Sequence, residues 1–310
     1  MTSYLWALPD SLEMAVMERL MHSGQLAGRL AVACYLGDVA MVQELITAGV
    51  SFAIGCQINT QYQAILAWGP CTAIASWPTG KACLQLLLEA NLDPDCHVEG
   101  LSGYFVGTPV LYASRLGKVD ALRMLLEAGG GKKLPTQSDA IGNPMTPLMV
   151  ACGAGKAGAV RLLLEQGHDT NLVIHTGKRD GNDGDAALNL ALKKAAKPIG
   201  GSRSEQDGAA ECARMILAKH REEDPDGFSS KHCSDLLCYC SELHGREDQL
   251  VMVQLLLDAN VDPNAPSSAP KTRDNEHTFM SVDGSYPDAK TMQTLHNINA
   301  VYTCTSPLEA

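Results

Sequence analysis

The feature that constrains this chain most is a pattern that returns. Residues 107–130 read GTPVLYASRLGKVDALRMLLEAGG, and their grammar is that of a helical hairpin. Thr108 supplies a hydroxyl able to cap free N–H groups, and Pro109 supplies a ring that needs no partner at the first helical position. Gly117 can stop that helix. Val119, Leu122, Leu125 and Leu126 then recur at helical spacing, and Gly129 can end a second helix in a left-handed conformation. Residues 107–130 are therefore expected to form two short antiparallel helices sharing one apolar seam. Such a pair cannot bury that seam alone, so it needs neighbours.

The neighbours are present. MTPLMVACGAGKAGAVRLLLEQGHD at 145–169 places Thr146, Pro147, Ala151, Gly155, Leu163, Leu164 and Gly167 in matching positions. Upstream, GRLAVACYLGDVAMVQELITAGV at 28–50 carries Leu30, Ala33, Gly37, Leu45, Ile46 and Gly49 in the same register. Residues 70–95 have a degraded first helix but keep Leu87, Leu88, Asn91 and Asp93–Pro94. At 185–226 the first helix, DAALNLALKK, is parted from ECARMILAKH by a polar insertion, PIGGSRSEQDG. The run at 229–264 ends in VQLLLDANVDPN, and the final TSPLEA resembles the opening of a further copy.

Thr-Pro-Leu-x-x-Ala, then Gly, then Leu-Leu-x-x-Gly-x-Asp-Pro-Asn is similar to the ankyrin repeat, whose unit is a turn plus two helices of about 33 residues. The resemblance implies an all-α solenoid of stacked helix–turn–helix units with β-turn fingers, about six repeats plus a partial seventh. The expected organisation is a capping helix at 1–24, then repeats near 25–54, 68–98, 105–133, 144–174, 185–226 and 229–264. A flexible polar loop at 265–304 and the start of a truncated repeat at 305–310 complete it.

The departures from the pattern also inform. The His that follows Thr-Pro-Leu in the family is replaced by Ala31, Leu111, Met149 and Asn189, which removes its hydrogen bonds to neighbouring repeats. Thr108 to Thr146 spans 38 residues and Thr146 to Ala186 spans 40, longer than the family unit. The surplus falls at 131–144 and 172–184, where Gly, Pro, Asn and Asp cluster, so enlarged turns are expected there.

Composition narrows the functional classes. A net charge of −11 argues against nucleic acid or an anionic membrane as the main partner and favours basic ones. Aromatics at 5% suit a thin stack of Leu and Ala layers better than a deep core. Eleven cysteines are scattered, with Cys34 and Cys152 standing at repeat Ala positions, so they read as reduced thiols in a cytoplasmic protein rather than a disulfide framework. No Asn-x-Ser/Thr acceptor occurs, in agreement. The N-terminus carries Asp10 and Glu13 where a signal peptide would be apolar. Asp10 or Ser11 is expected to cap a helix presenting Leu12, Ala15, Val16 and Leu20 on one face. Tyr4 and Trp6 are compatible with a membrane surface, but such helices more often dock on their own protein. No run approaches the roughly 18 apolar residues that a membrane span needs.

Catalytic and cofactor motifs fail on inspection. GGGKK at 129–133 and GAGKAG at 153–158 lack the first Gly and the Ser/Thr of a phosphate loop, with Leu126, Val150, Lys133 and Ala157 standing there instead. HCSDLLCYCSELH at 232–244 holds His232, Cys233, Cys238, Cys240 and His244 but no Cys-x-x-Cys pair. On the helix expected at 234–243, Cys238 and Cys240 would point to different faces, so small buried thiols are the preferred reading over a metal site. DGNDGD at 180–185 has Gly184 where a calcium loop needs oxygen and Ala191 at the closing Glu position. No catalytic residue, cofactor or metal is assigned.

What remains is surface. The resemblance implies a groove, floored by first helices and edged by turns, that recognises a partner protein. Residues just before the glycine that ends each first helix should face it: Tyr35 and Leu36, Trp77 and Pro78, Arg115 and Leu116. The enlarged turns offer Trp68, Tyr104, Phe105, His175 and Arg179. Trp, Tyr and Arg often dominate interfaces. Against that, an isolated exposed aromatic needs no function, and Trp68 or Trp77 could instead plug the poor second repeat. Asn171 and Asn264 occupy the turn Asn that the resemblance links to asparaginyl hydroxylation, although turn geometry alone also favours Asn there. The expected function is a non-catalytic adaptor or scaffold, working as a monomer. The alternative is the recognition segment of a larger enzyme or channel continuing beyond residue 310. A direct enzyme inhibitor, inserting 265–304 or 196–210 into a partner, is a third reading.

Overall fold

The computed structural model describes residues 2–4, 10–22, 25–59, 64–97, 107–132, 145–170, 187–196, 203–223 and 253–258, and these are mostly helical. The chain divides into two compact units. The described part of the first holds β1 (Thr2–Tyr4), α1 (Asp10–His22), α2 (Leu26–Leu36), α3 (Val39–Thr47), β2 (Cys56–Asn59) and β3 (Ala64–Ala67). It continues through α4 (Gly69–Ala75), α5 (Lys81–Glu89), α6 (Pro109–Leu116) and α7 (Val119–Glu127), with most of α8 (Pro147–Gly153) and α9 (Ala157–Glu165). The second holds Cys152–Ala157, α10 (Ala187–Ala196), α11 (Arg203–Glu223) and the helical turn at 253–258.

Within the first unit the hairpins pack like on like. First helices meet first helices, α2 against α4 and α4 against α6, while α3 meets α5 and α5 meets α7. The sequence explains the spacing. Ala33, Ala73, Ala113 and Ala151 are fully sequestered in the first helices, where a methyl group lets backbones approach. Each second helix repeats one buried pair at i, i+3: Val42 and Leu45, Leu84 and Leu87, Leu122 and Leu125, Val160 and Leu163. Burying one such Leu fully is worth about 1.5–3 kcal/mol, so these pairs are the seam the pattern called for.

The helix ends are equally regular. Thr108 Oγ1 accepts from Leu111 N–H at 3.3 Å, and Thr146 Oγ1 accepts from Met149 N–H at 3.1 Å, each just ahead of a proline. The second helices α3, α5, α7 and α9 (Ala157–Glu165) close alike. The N–H groups of Val50, Leu92, Gly130 and His168 return to the carbonyls of Leu45, Leu87, Leu125 and Leu163. In each case a positive φ precedes the return, at Gly49, Asn91, Gly129 and Gly167. This is the six-to-one closure of a Schellman cap. Asn91 performs it with φ +66°, the conformation that Asn tolerates best after Gly.

Three features depart from the expectations. Short strands interrupt the helices: β2 pairs antiparallel with β3, Cys56 opposite Ala67 and Asn59 opposite Ala64. β1 adds parallel to β3, Thr2 opposite Ala64 and Tyr4 opposite Leu66. The three form one sheet in the order β1-β3-β2, directly before Trp68, where a turn and no strand pairing was expected. Secondly, α1 buries Val16, Met17 and Leu20 while Ala15 is exposed, so its inward face is rotated from the one expected. The longer Met side chain reaches what the Ala methyl would not. Thirdly, the polar insertion is not a loop throughout. Residues 203–208 are the first turns of α11, a 21-residue helix. Arg, Glu and Gln are good helix formers, and polarity alone does not break a helix.

In the second unit α10 and α11 form a long hairpin, with Leu188, Ala191, Leu192 and Ala195 facing Ala209, Cys212, Ala213, Ile216 and Leu217. Gly155 and Gly208 meet backbone to backbone. A Cβ on Gly208 would strike the Gly155 carbonyl, and one on Gly155 the Glu205 carbonyl. Lys194 Nζ lies 2.8 Å from Glu205 Oε2 and Lys156 Nζ 3.9 Å from Oε1, and the hydrogen bond and charge of Lys194 hold that carboxyl below its ordinary range.

Candidate partner-binding surface

Three inter-helix turns of the first unit lie side by side. A Cβ on Gly37 would come within 2.7 Å of the Thr79 side chain, and Ser76 Oγ donates to the Cys34 carbonyl at 3.1 Å. The α2–α3 and α4–α5 turns therefore touch, and the α6–α7 turn follows because α4 packs on α6 and α5 on α7. The outer two turns are built alike. Gly37 and Gly117 are left-handed, and the next N–H, of Asp38 or Lys118, returns to Ala33 or Ala113. The middle turn has no such glycine. It runs through Ser76, Trp77, Pro78, Thr79 and Gly80, with the Trp77–Pro78 bond cis.

These turns carry six of the expected site residues. Leu36 is 57% exposed, an unusual setting for a leucine, and Pro78 and Arg115 are exposed. Tyr35, Trp77 and Leu116 are half-buried. Trp68 is elsewhere. It is 2% exposed, and its indole N–H donates to the Phe52 carbonyl at 2.6 Å. It precedes α4 where Thr108 precedes α6, with no side-chain cap. Trp68 is thus buried within the first unit rather than displayed on its surface. Tyr104, Phe105, His175 and Arg179 lie outside the described residues, as do Asn171, Asn264, the 232–244 thiols and the 180–185 turn.

Sequence reasoning missed the residues that open the second helices. Asp38 Oδ1 caps α3 by accepting from Met41 N–H at 3.0 Å. The equivalent position before α7 is Lys118 and before α5 is Gly80, followed by Lys81; neither gives a side-chain cap. Losing a cap costs about 1 kcal/mol, and a cation at a helix start opposes the helix dipole by about 0.3–1 kcal/mol. The signal was available: one position after each turn glycine, where Asp is replaced by Lys.

The buried polar groups are structural. The Cys34 thiol is held protonated, well above the usual thiol range, by its hydrogen bond with Cys83 and by burial. Burial does the same to Cys71, and burial with the Cys212 hydrogen bond to Cys152. A thiol kept protonated is a poor nucleophile and a poor metal ligand. Among the described residues no group of three or more His, Cys, Asp or Glu is placed to hold a metal ion. Asn189, standing at a family His position, has its Oδ1 buried without a hydrogen-bond partner. Asp95 accepts the Gly131 N–H on both oxygens, and burial holds the neighbouring His168 imidazole below its ordinary value against the pull of Asp95.

Among the described residues no helix is long and apolar enough to cross a membrane. The family model for the ankyrin repeat matches residues 145–174, which contain the Thr146 cap, α8, α9 and the Gly167 closure. No curated protein matches the chain.

Proposed function

With an ankyrin repeat at 145–174 as the premise, we propose that this chain is a non-catalytic protein-interaction module, an adaptor or scaffold, built as a solenoid of about six repeats. Ankyrin repeats generally mediate protein–protein interaction. The observation that carries the reading is the row of three adjacent turns presenting Tyr35, Leu36, Trp77, Arg115 and Leu116 along one side of the first unit. Leu36 and Leu116 stand at the same place before the left-handed glycines of the two outer turns, and Trp77 lies in the turn between them, so a partner lying along the row meets an apolar group at each turn. No disulfide joins the seven described cysteines, which supports work in a reducing compartment.

The test is site-specific photo-crosslinking in cells. A photoreactive residue at Leu36 or Leu116 is expected to yield a defined protein adduct that one at Gln85 or Glu127, on second helices, does not. Adducts of equal yield from both sets, or none from the turns, would remove this surface as the binding site.

A further inference from the structure

The chemistry of the partner is written in the charge distribution of the first unit. The chain as a whole carries −11. Yet the three turns and the first helices beside them hold Arg29, Lys81, Arg115 and Lys118 against one carboxylate, Asp38. Beyond Lys81, the second helices α3, α5 and α7 reverse the sign, with Glu44, Glu89, Asp120 and Glu127 exposed against Arg123. Among these elements the second helices are thus acidic beyond their first residues and the turn row is basic.

The placement of the cations sharpens this. Lys81 and Lys118 sit at helix starts, where the dipole favours anions, and no side-chain cap accompanies either. Fold stability does not account for them, since the Asp used at position 38 caps its helix. The cations are also interleaved with apolar groups: Leu36, Trp77 and Leu116 share the row with Lys81, Arg115 and Lys118. Resting on the protein-binding reading above, we propose that this row takes an acidic peptide segment carrying apolar anchors. The anchors would lie against Leu36, Trp77 and Leu116, and carboxylates would meet the flanking cations. A large polyanion is disfavoured, because it would also encounter the carboxylates of the second helices within a Debye length of about 8–10 Å.

The experiment is selection from a displayed library of random peptides about twelve residues long, panned on the full chain. The expected pool is enriched in Asp and Glu together with Leu or aromatic residues. A synthetic peptide of its consensus should bind at least about tenfold more weakly in about 0.5 M salt. It should likewise bind at least about tenfold more weakly to the double variant K81E/K118E. Glu at two helix starts agrees with the dipole, so the variant should melt no lower than the parent, which separates lost binding from lost folding. A pool without acidic enrichment, or no enriched pool at all, overturns the acidic-segment proposal. An acidic peptide that binds the variant as tightly as the parent overturns the assignment to this row. Crosslinking at Leu36 and Leu116 tests the protein-binding reading independently, so a neutral pool beside a clean adduct condemns only the acidic chemistry.

Discussion

Asp95 and Gly131 are fastened to each other across 36 residues of chain: the Gly131 N–H donates to both carboxylate oxygens of Asp95, at 2.9 and 3.0 Å. Asp95 follows the cap of α5 and Gly131 follows the cap of α7, so the bond ties the ends of two successive second helices. Asp95 is 9% exposed, and a hydrogen bond to a charged group in that setting contributes about 1.5–3 kcal/mol. Asp95→Ala should lower unfolding free energy by about 2 kcal/mol, and Asp95→Asn, which keeps one acceptor, by about 1 kcal/mol. Urea titration followed by circular dichroism measures both. Equal losses for the two variants would show that packing, not the hydrogen bond, matters here.

His168 makes stability depend on pH. Its folded value lies below the ordinary 6.5 because burial disfavours the imidazolium. The unfolded chain therefore binds the proton more readily, and stability rises with pH wherever that difference operates. The stabilisation is complete above about pH 6.5 and is lost as pH falls from there through the folded value. Melting temperature should drop between about pH 7.5 and 5.5, and His168→Gln should flatten that slope. A slope unchanged by the substitution would assign the acid sensitivity to other groups.

Left-handed glycines should divide into two classes. A Cβ on Gly129 meets nothing within 4 Å, and Asn91 already adopts the same conformation at the same cap position. Gly129→Asn should cost less than about 0.5 kcal/mol and Gly129→Ala about 1–2 kcal/mol. Gly155 has φ +64° and its Cβ would strike the Glu205 carbonyl, so Gly155→Ala should cost more than about 3 kcal/mol. Thermal denaturation of the three variants checks the order. Similar losses at Gly129 and Gly155 would contradict the close approach of residue 155 to α11.

The buried thiols should be silent in the native protein. Cys34, Cys71 and Cys152 are sequestered and held protonated, so iodoacetamide at neutral pH should leave them unmodified and label them only after unfolding in urea. Peptide mass mapping reads each site separately. Native labelling of Cys34 at the rate of a free exposed thiol would mean that α2 does not stay packed on α4 and α5.

The helical hairpins were legible because their signals are local. Thr108–Pro109, Gly117 and the Leu122–Leu125 pair each act within a few residues, and each appears in the structure in that role. The sheet was not legible, since β1 and β3 pair across about sixty residues and neither carries a strong alternating pattern. Trp68 illustrates the limit for the surface. Its side chain was judged from its place in an expected turn, whereas its burial depends on the Phe52 carbonyl, which only the folded loop brings near. The basic row was missed for the opposite reason. Each lysine looks like an ordinary surface charge in sequence, and the row exists only when α4 sits between α2 and α6. Leu36, Arg115 and Leu116 could be found because one repeated glycine marks their position.

The closures at Leu45, Leu87, Leu125 and Leu163 are spaced 42, 38 and 38 residues apart, yet each is made entirely of bonds within its own helix and the three residues that follow it. They behave as punctuation. A sentence can be lengthened between full stops without changing how any of them is written, and extra length in a connecting loop costs only about 0.6 kcal/mol per doubling. The chain therefore has places where new residues can be added at little risk to old ones, and natural variation in length should collect between the closures and spare the six residues that make each one.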